Sequence, residues 1–561
     1  MNQVLRKSTL WILTVTLLAL VGAVGAQDDG MKTVTTAFLG PGDVPSIDPS
    51  IGTDTSSIQI VLNTYIGLTT QNEVTAELEP GIAHSWEVDG TTYTFHLTEG
   101  IQWVRYDPEA GEVVAITDAD GNARTVTAHD VIFGWSRTLD PETGSDYAYV
   151  LADWVVGANE YNSGEADSFD VVGIRAIDDH TLEIDAVAAN AFVPSIFGMW
   201  MAMPQLQEVV EMYGDEWTEA GNYPSFGPFA LKEWLHDESI TLTANPFWAG
   251  NEWIPQPVID SVTWLMLPST AQLDAYEAGD LDVVTSVPLD AMDRIQADPV
   301  LSEELNIGYD TCSYYYGFNT AKEPLDNVHL RRALSFAIDR QSIVDNVTKG
   351  GQIPAQWFAR PGLAAAPTLE SHPDTGIWFD AEEAQAELAL ALEADGISDP
   401  SEWEQITLMH NTSEGHAKIA QAIQQMWSET LGINVEIANQ EWATYLATVR
   451  EDAPQIYRLG WCADYLDAHN YNSDVWRSTS SFNNTNWASE EYDNLVDTAV
   501  TLSDTEERRE LYAQAENILV YHDAAISPIY WYTNVQMTKP NISRTFSVLF
   551  QDRYEKWDVG Q

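Results

Sequence analysis

From residue 33 to about residue 196, apolar and polar positions alternate in short runs. Tyr93-Thr94-Phe95-His96-Leu97 and Thr181-Leu182-Glu183-Ile184 put every second side chain on one face, the period of a half-buried strand, and turn dipeptides such as Asp89-Gly90 separate the runs. One helix is expected among them, with Thr127 as its cap, Val131, Trp135 and Leu139 on its apolar face, and Asp140-Pro141 as its stop. Between about Pro204 and Asp310, short strands such as Val262-Thr263-Trp264-Leu265 mix with a helix over 271–278 that ends at Gly279. Beyond Cys312 the helical period dominates. Asp326 is placed to cap a helix whose apolar stripe is Leu330, Ala333, Leu334, Ala337 and Ile338, closed by Gly350-Gly351. Two further helices are expected over 381–394, before Gly396, and over about 414–430, before Gly432. The strand Val435-Glu436-Ile437 follows the last of them, so helix and strand alternate as in an α/β layer.

Length turns this pattern into several domains. A chain of 561 residues exceeds one hydrophobic core, and about 150 residues per domain suggests three or four with a cleft between them. With 45% hydrophobic residues, 21 Trp and 23 Tyr, ordered cores are expected throughout. Charge narrows the partners: 86 Asp+Glu against 25 Lys+Arg give −61, which repels phosphate backbones and anionic lipid, so nucleic acid is not an expected partner. Such self-repulsion also suits a saline or ion-rich setting. The first 26 residues read as a cleavable signal peptide, with basic Arg6 and Lys7, an apolar run from Leu10 to Val24, and small residues at Val24 and Ala26. The mature chain is then expected to start near Gln27, outside the cytoplasm, with no cysteine after the run for lipid attachment and no later span apolar enough for a bilayer. Export allows a disulfide between the only two cysteines, Cys312 and Cys462, although two buried free thiols fit the count as well. Closing a loop of about 150 residues would stabilise the fold by roughly 5 kcal/mol in the chain-entropy picture.

Familiar catalytic signatures do not occur. The chain has no G-x-S-x-G elbow, no H-E-x-x-H, no G-x-x-x-x-G-K and no G-x-G-x-x-G. A close carboxylate pair suited to glycoside hydrolysis stays open, because spatial proximity is not written in sequence. Asp118-Ala119-Asp120-Gly121-Asn122 reads as a β-turn rather than a calcium loop, since the spaced carboxylates and terminal Glu are missing. The 11 His are scattered without ligand spacing. No metal, cofactor or enzymatic activity is expected.

The most informative stretch is Arg458-Leu459-Gly460-Trp461-Cys462-Ala463-Asp464-Tyr465. An acid beside bulky aromatics is costly to desolvate unless a cation meets it, although from these residues alone a plain strand-end or turn carboxylate is the better reading. TCSYYYGFN from Thr311, DNVHLRRALSFAIDRQSIV from Asp326, NQEW from Asn439 and RLGWCADY from Arg458 together resemble the oligopeptide-binding proteins of ABC importers, family 5 of the extracellular solute-binding proteins. SIDP from Ser46 and TAHDVIFGWSRTLDP from Thr127 are similar to the same family.

The resemblance implies an α/β fold of the periplasmic-binding-protein type II kind, with two lobes on a hinge and an additional domain near the amino end. The corresponding ranges are 27–65, 202–311 and 532–561 for lobe I, 66–201 for the additional domain II, and 312–531 for lobe III. It implies a monomer that captures short peptides in the interdomain cleft and hands them to transmembrane permease subunits. Asp464 would then pair with the peptide's free amino terminus, and Cys312 with Cys462. Trp442, Arg458, His416 and Tyr147 fall on the family's other cleft positions, with Trp461, Cys462 and Ala463 around the acid. Strand-like segments at Thr53, Asp54 and Thr55 and at Tyr465 would pair with the peptide backbone. His416, in the first turn of a helix capped by Thr412 or Ser413, suits a peptide carboxylate, as does the forked guanidinium of Arg458. One departure stands out: where some relatives carry a cleft arginine, this chain has Val449, with Arg450 next to it. The competing readings are a sugar or nickel carrier on the same scaffold, a secreted hydrolase, and a receptor that binds peptides without transport.

Overall fold

The computed structural model describes residues 30–549 and 551–560. Residues 1–26, where a cleavable signal peptide is expected, lie outside the described residues. Among the described residues no helix is long and apolar enough to cross a membrane.

Three main sheets organise the chain. The first has four strands, Thr33–Ala37, Ser261–Leu265, Ser239–Ala244 and Phe229–Leu235 in spatial order, with Thr33–Ala37 parallel to Ser261–Leu265 and the others antiparallel. The second is an antiparallel sheet of Ala83–Asp89, Thr92–Leu97, Thr181–Asp185 and Ile174–Asp178 in spatial order. Tyr93, Phe95, Leu97, Leu182 and Ile184 are buried in it, the alternation that the sequence pattern gives. The third has seven strands and is built around Leu305–Phe318 and Ile526–Thr538, long antiparallel partners. Ile456–Trp461 pairs antiparallel with Leu305–Phe318, in the register Tyr316 to Arg458 and Ser313 to Trp461, and the parallel strands Thr407–Asn411 and Glu436–Gln440 complete that side. The short strand Val283–Val284 sits on the far side of Ile526–Thr538 and packs against Thr33–Ala37, which joins the first and third sheets.

Helices with clear caps form where expected. Thr127 starts Ala128–Leu139, its backbone N–H donating to Asp130 at 2.8 Å. Ala381–Asp395 and Glu414–Leu431 end at Gly396 and Gly432, whose φ of +68° and +69° only glycine adopts without strain. Asp118 closes its turn by accepting from the backbone N–H of Asp120 and of Asn122, both at 2.9 Å.

Three expectations need correction. The helix expected from Asp326 to Gly350 is two. Val328–Phe336 is capped by Asn327, whose side chain accepts from His329 N at 3.0 Å, and the buried stripe Leu330, Ala333, Leu334, Ala337 and Ile338 is as expected. Asp339 then caps a new helix, Arg340–Ile343, through Ser342 N, and a cap inside a helical pattern ends the helix before it. Second, the segment at Thr53–Thr55 is not a strand. Asp54 is the N-cap of the helix Thr55–Thr64, whose residues from Ser57 onward are all buried, so no polar face gave it a helical period. Third, Tyr465 lies in a bend rather than a strand, ahead of the helix His469–Trp476, which is also buried on every side.

Candidate functional site

A cavity of about 450 Å³ opens between segments attached to the first sheet and those of the third. Asp464, Trp461, Cys462, Ala463, Arg458, Trp442, His416, Tyr147, Thr53, Asp54 and Thr55 all line it. Tyr465 does not: its side chain turns away from the cavity, its ring stacks on Phe192 at 5.0 Å and its hydroxyl donates to Asp474 at 2.7 Å.

One wall is the strand Ile456–Trp461. Its neighbour Thr407–Asn411 pairs only with Ile456 and Tyr457, so beyond Tyr457 no strand among the described residues covers that edge, and Arg458, Leu459, Gly460 and Trp461 line the cavity there. A disulfide between Cys312 and Cys462 ties the end of this strand to the strand Leu305–Phe318. Asp464 follows two residues later. Its Oδ2 accepts from the Asn470 carboxamide at 2.9 Å, and its backbone N–H donates to Asn470 Oδ1 at 2.9 Å. No lysine or arginine lies within ion-pair distance of Asp464 among the described residues. Burial pushes its carboxyl up to about 8; the Asn470 hydrogen bond opposes that and the neighbouring Asp474 adds to it.

Arg458 presents the opposite charge without a counter-ion. The side chain is buried, its guanidinium lies over the Tyr314 ring at 4.5 Å, and it donates to Asn411 Oδ1 at 3.3 Å and to the Tyr532 hydroxyl. Its Nε has no partner, and no carboxylate pairs with it among the described residues. It therefore does not neutralise Asp464 directly. His416 stands beside it in the first turn of Glu414–Leu431, with Ser413 rather than Thr412 as the cap. Burial, Arg458 and His410 hold the His416 pKa well below its usual range, so the ring is neutral, and its Nδ1 is buried without a partner.

Aromatic rings floor the acid end. Tyr147 lies nearly parallel to Trp461 at 6.4 Å, and Phe482 meets Trp461 edge-on at 5.0 Å. Trp442 is half-buried at the first position of the helix Trp442–Asp452. Val449 is buried on the same helix, and Arg450 is an ion-pair partner of Asp146, which precedes Tyr147. The other lining carboxylates are committed: Asp54 caps its helix through Ser56 and Ser57, Glu441 caps Trp442–Asp452 through Thr444, and Asp146 holds Arg450. Sequence reasoning did not find Asn411, Tyr532, Asn470 or Asp474. Only Asn411 and Asn470 lie near a recognised motif, and neither residue type signals a buried hydrogen-bond role by itself.

Residues 77–483 match the family described as bacterial extracellular solute-binding proteins, family 5. This chain belongs to that family. It is 32% identical over 556 residues to the oligopeptide-binding protein OppA of Bacillus subtilis, covering 95% of this chain and 96% of that one. Among solved structures it is similar to the murein tripeptide binding protein MppA of Escherichia coli, with a TM-score of 0.84, 29% identity, and 95% and 99% of the two chains covered. It is similar also to Haemophilus influenzae OppA in complex with the peptide RPPGFSPFR, at a TM-score of 0.82 and 28% identity, with 95% and 100% covered. Against the unliganded open form of MppA the TM-score drops to 0.62, at 28% identity and with 94% and 97% covered. Family 5 relatives are solute-binding proteins with the type II periplasmic fold of two α/β lobes, and the chain shares that fold.

Proposed function

We propose that this chain captures short peptides with a free amino terminus in its cavity and delivers them to the permease subunits of an ABC importer, acting as an exported monomer without catalysis. The observation that carries the reading is a pair of groups on one cavity wall with no ion-pair partner among the described residues, the Asp464 carboxyl and the Arg458 guanidinium. A zwitterion with its charges at opposite ends satisfies both: the ammonium at Asp464, the carboxylate at Arg458, His416 and the N-terminus of Glu414–Leu431. The uncovered edge from Arg458 to Trp461 offers backbone groups to an extended peptide, which gives affinity without reading side chains.

Lobe I is 27–65, 202–311 and 532–561, domain II is 66–201 and lobe III is 312–531, with the strands Leu305–Phe318 and Ile526–Thr538 crossing between lobes as the hinge. The lower similarity to the open form of MppA supports a closed arrangement here. Replacing Asp464 with Asn, which keeps shape and removes the acid, is expected to weaken peptide binding by about 10²- to 10³-fold, about 3–4 kcal/mol, because the ammonium is left buried and unpaired. Titration calorimetry of ligand-stripped protein measures this, and unchanged affinity in Asp464→Asn would remove the acid from the site.

A further inference from the structure

Behind Asp464 lies a second acid that does not line the cavity. Asp474, in the helix His469–Trp476, is buried, and Asn470 joins the two: one carboxamide N–H goes to Asp464 Oδ2 at 2.9 Å and the other to Asp474 Oδ2 at 3.0 Å. The orientation of this carboxamide is fixed by its other end. Asn470 Oδ1 accepts from the backbone N–H of Asp464 at 2.9 Å and from the Trp461 indole at 3.1 Å, and both are groups that can only donate. Asn470 is fully buried with all four hydrogen-bonding positions used. One side chain therefore holds the peptide-facing acid, the peptide-facing tryptophan and the hidden acid.

We propose that Asn470 is a positioning residue for amine capture and that Asp474 is a partner acid which sets the pH range over which Asp464 accepts an ammonium. The proposal rests on the peptide reading above. Two carboxylates on one carboxamide cannot both ionise cheaply, so a proton is retained on the pair until a cation arrives. When the ammonium docks, its charge offsets that repulsion: the Asp464 proton leaves to water in the cleft, the carboxylate pairs with the ammonium, and Asp474 carries the pair's other negative charge.

The other groups around the pair do not replace that cation. Tyr465 donates to Asp474, and His469 lies 3.3 Å from it with burial holding the imidazole down to about 4 and hence neutral. Tyr147 and Tyr149 face the pair from the helix Ala148–Ala152 and the residue before it, un-ionised because burial pushes both phenols up. Asp153 adds a further carboxyl, pushed up to about 6 by burial and by Asp474, with Arg477 and Asp497 beyond it. Asp54 adds negative potential at Tyr147 from the start of Thr55–Thr64, and Asp467, which adds to the rise at Asp474, is itself paired with Arg508 at 2.5 Å.

The test is calorimetric affinity for tri-alanine and N-acetyl-tri-alanine from pH 5 to pH 9, in wild type, Asp474→Asn and Asn470→Ser. For wild type, affinity for the free peptide is expected to fall about tenfold per pH unit below the Asp464 midpoint. Asp474→Asn removes the competing acid and is expected to move that limb down by about one pH unit. Asn470→Ser, too short to reach both acids, is expected to weaken binding tenfold or more at pH 8 and to move the limb up. A limb that stays at the wild-type pH in Asp474→Asn, with the preference for free peptide intact, overturns the proposal while leaving peptide capture standing. Equal binding of the free and acetylated peptides by wild type brings down both. Should Asp474→Asn not fold, wild type labelled with 13C at the aspartate carboxyls decides: two buried carboxyl signals are expected to move together when tri-alanine is added, and movement of one alone is the contrary result.

Discussion

Asp464 has a cost in the fold that its role explains. An acid whose folded pKa rises from 3.8 to about 8 binds its proton more tightly in the folded chain than in the unfolded one. Stability therefore falls as pH rises from about 4 to about 8, and the whole cost is present above that window. Asp464→Asn has no such titration. Its ligand-stripped form is expected to melt at a higher temperature than wild type at pH 8, with the gap closing toward pH 5, although the same variant binds peptide poorly; a thermal shift series across pH checks this, and a gap that does not change with pH would contradict it. A residue that lowers stability while serving binding marks a functional site rather than a structural one. Asp464 and Arg458 were legible because the RLGWCADY wording is distinctive. Asn470 and Asp474 were not, since a buried carboxamide that orders an acid carries no spacing signal and is visible only once the helix His469–Trp476 has been folded against the strand Ile456–Trp461.

At the scale of elements, the helix Glu414–Leu431 works on two sides. His416 faces the cavity, while Glu414 and Lys418 reach across it. Glu414 accepts from Ser269 Oγ at 2.5 Å, Thr270 N at 3.0 Å and Thr270 Oγ1 at 2.8 Å, at the start of the helix Ser269–Ala278, and Lys418 meets Asp290 at 2.5 Å. Partial burial works against the Glu414 charge, but the Ser269 and Thr270 hydrogen bonds and Lys418 outweigh it and hold the carboxyl below its usual range. The same helical turn thus carries a ligand-facing group and a clasp over the cleft. Glu414→Gln is expected to speed tri-alanine release about three- to tenfold with little change in association rate, as measured by stopped-flow mixing, and an unchanged release rate would show that the clasp does not hold the closed form. The boundaries of this helix were readable from Ser413 and Gly432, and the strands of the second sheet from their alternation. Thr55–Thr64 and His469–Trp476 were not, because a helix buried all round shows no amphipathic period, and both elements hold or border the site.

Over the whole molecule, a charge of −61 surrounds a cavity in which most acids already have partners. That arrangement leaves Asp464 as the place where a positive charge entering the cleft gains most, while the general negative field favours cationic groups on approach. The fold class was legible because helix and strand alternate over long stretches, whereas the joining of the first and third sheets through Val283–Val284 depends on pairings far apart in sequence. The central claim is that the cavity recognises a free peptide amine through a carboxyl that must first lose its proton. Its most direct test is titration of ligand-stripped wild type at pH 7 with tri-alanine and N-acetyl-tri-alanine, in two buffers of different ionisation heat. The account predicts at least about a hundredfold weaker binding of the acetylated peptide, and release of close to one proton per free peptide bound, since the peptide amine with its pKa of about 8 is already charged at that pH. Equal affinity for the two peptides, or a binding heat that does not depend on the buffer, would contradict it.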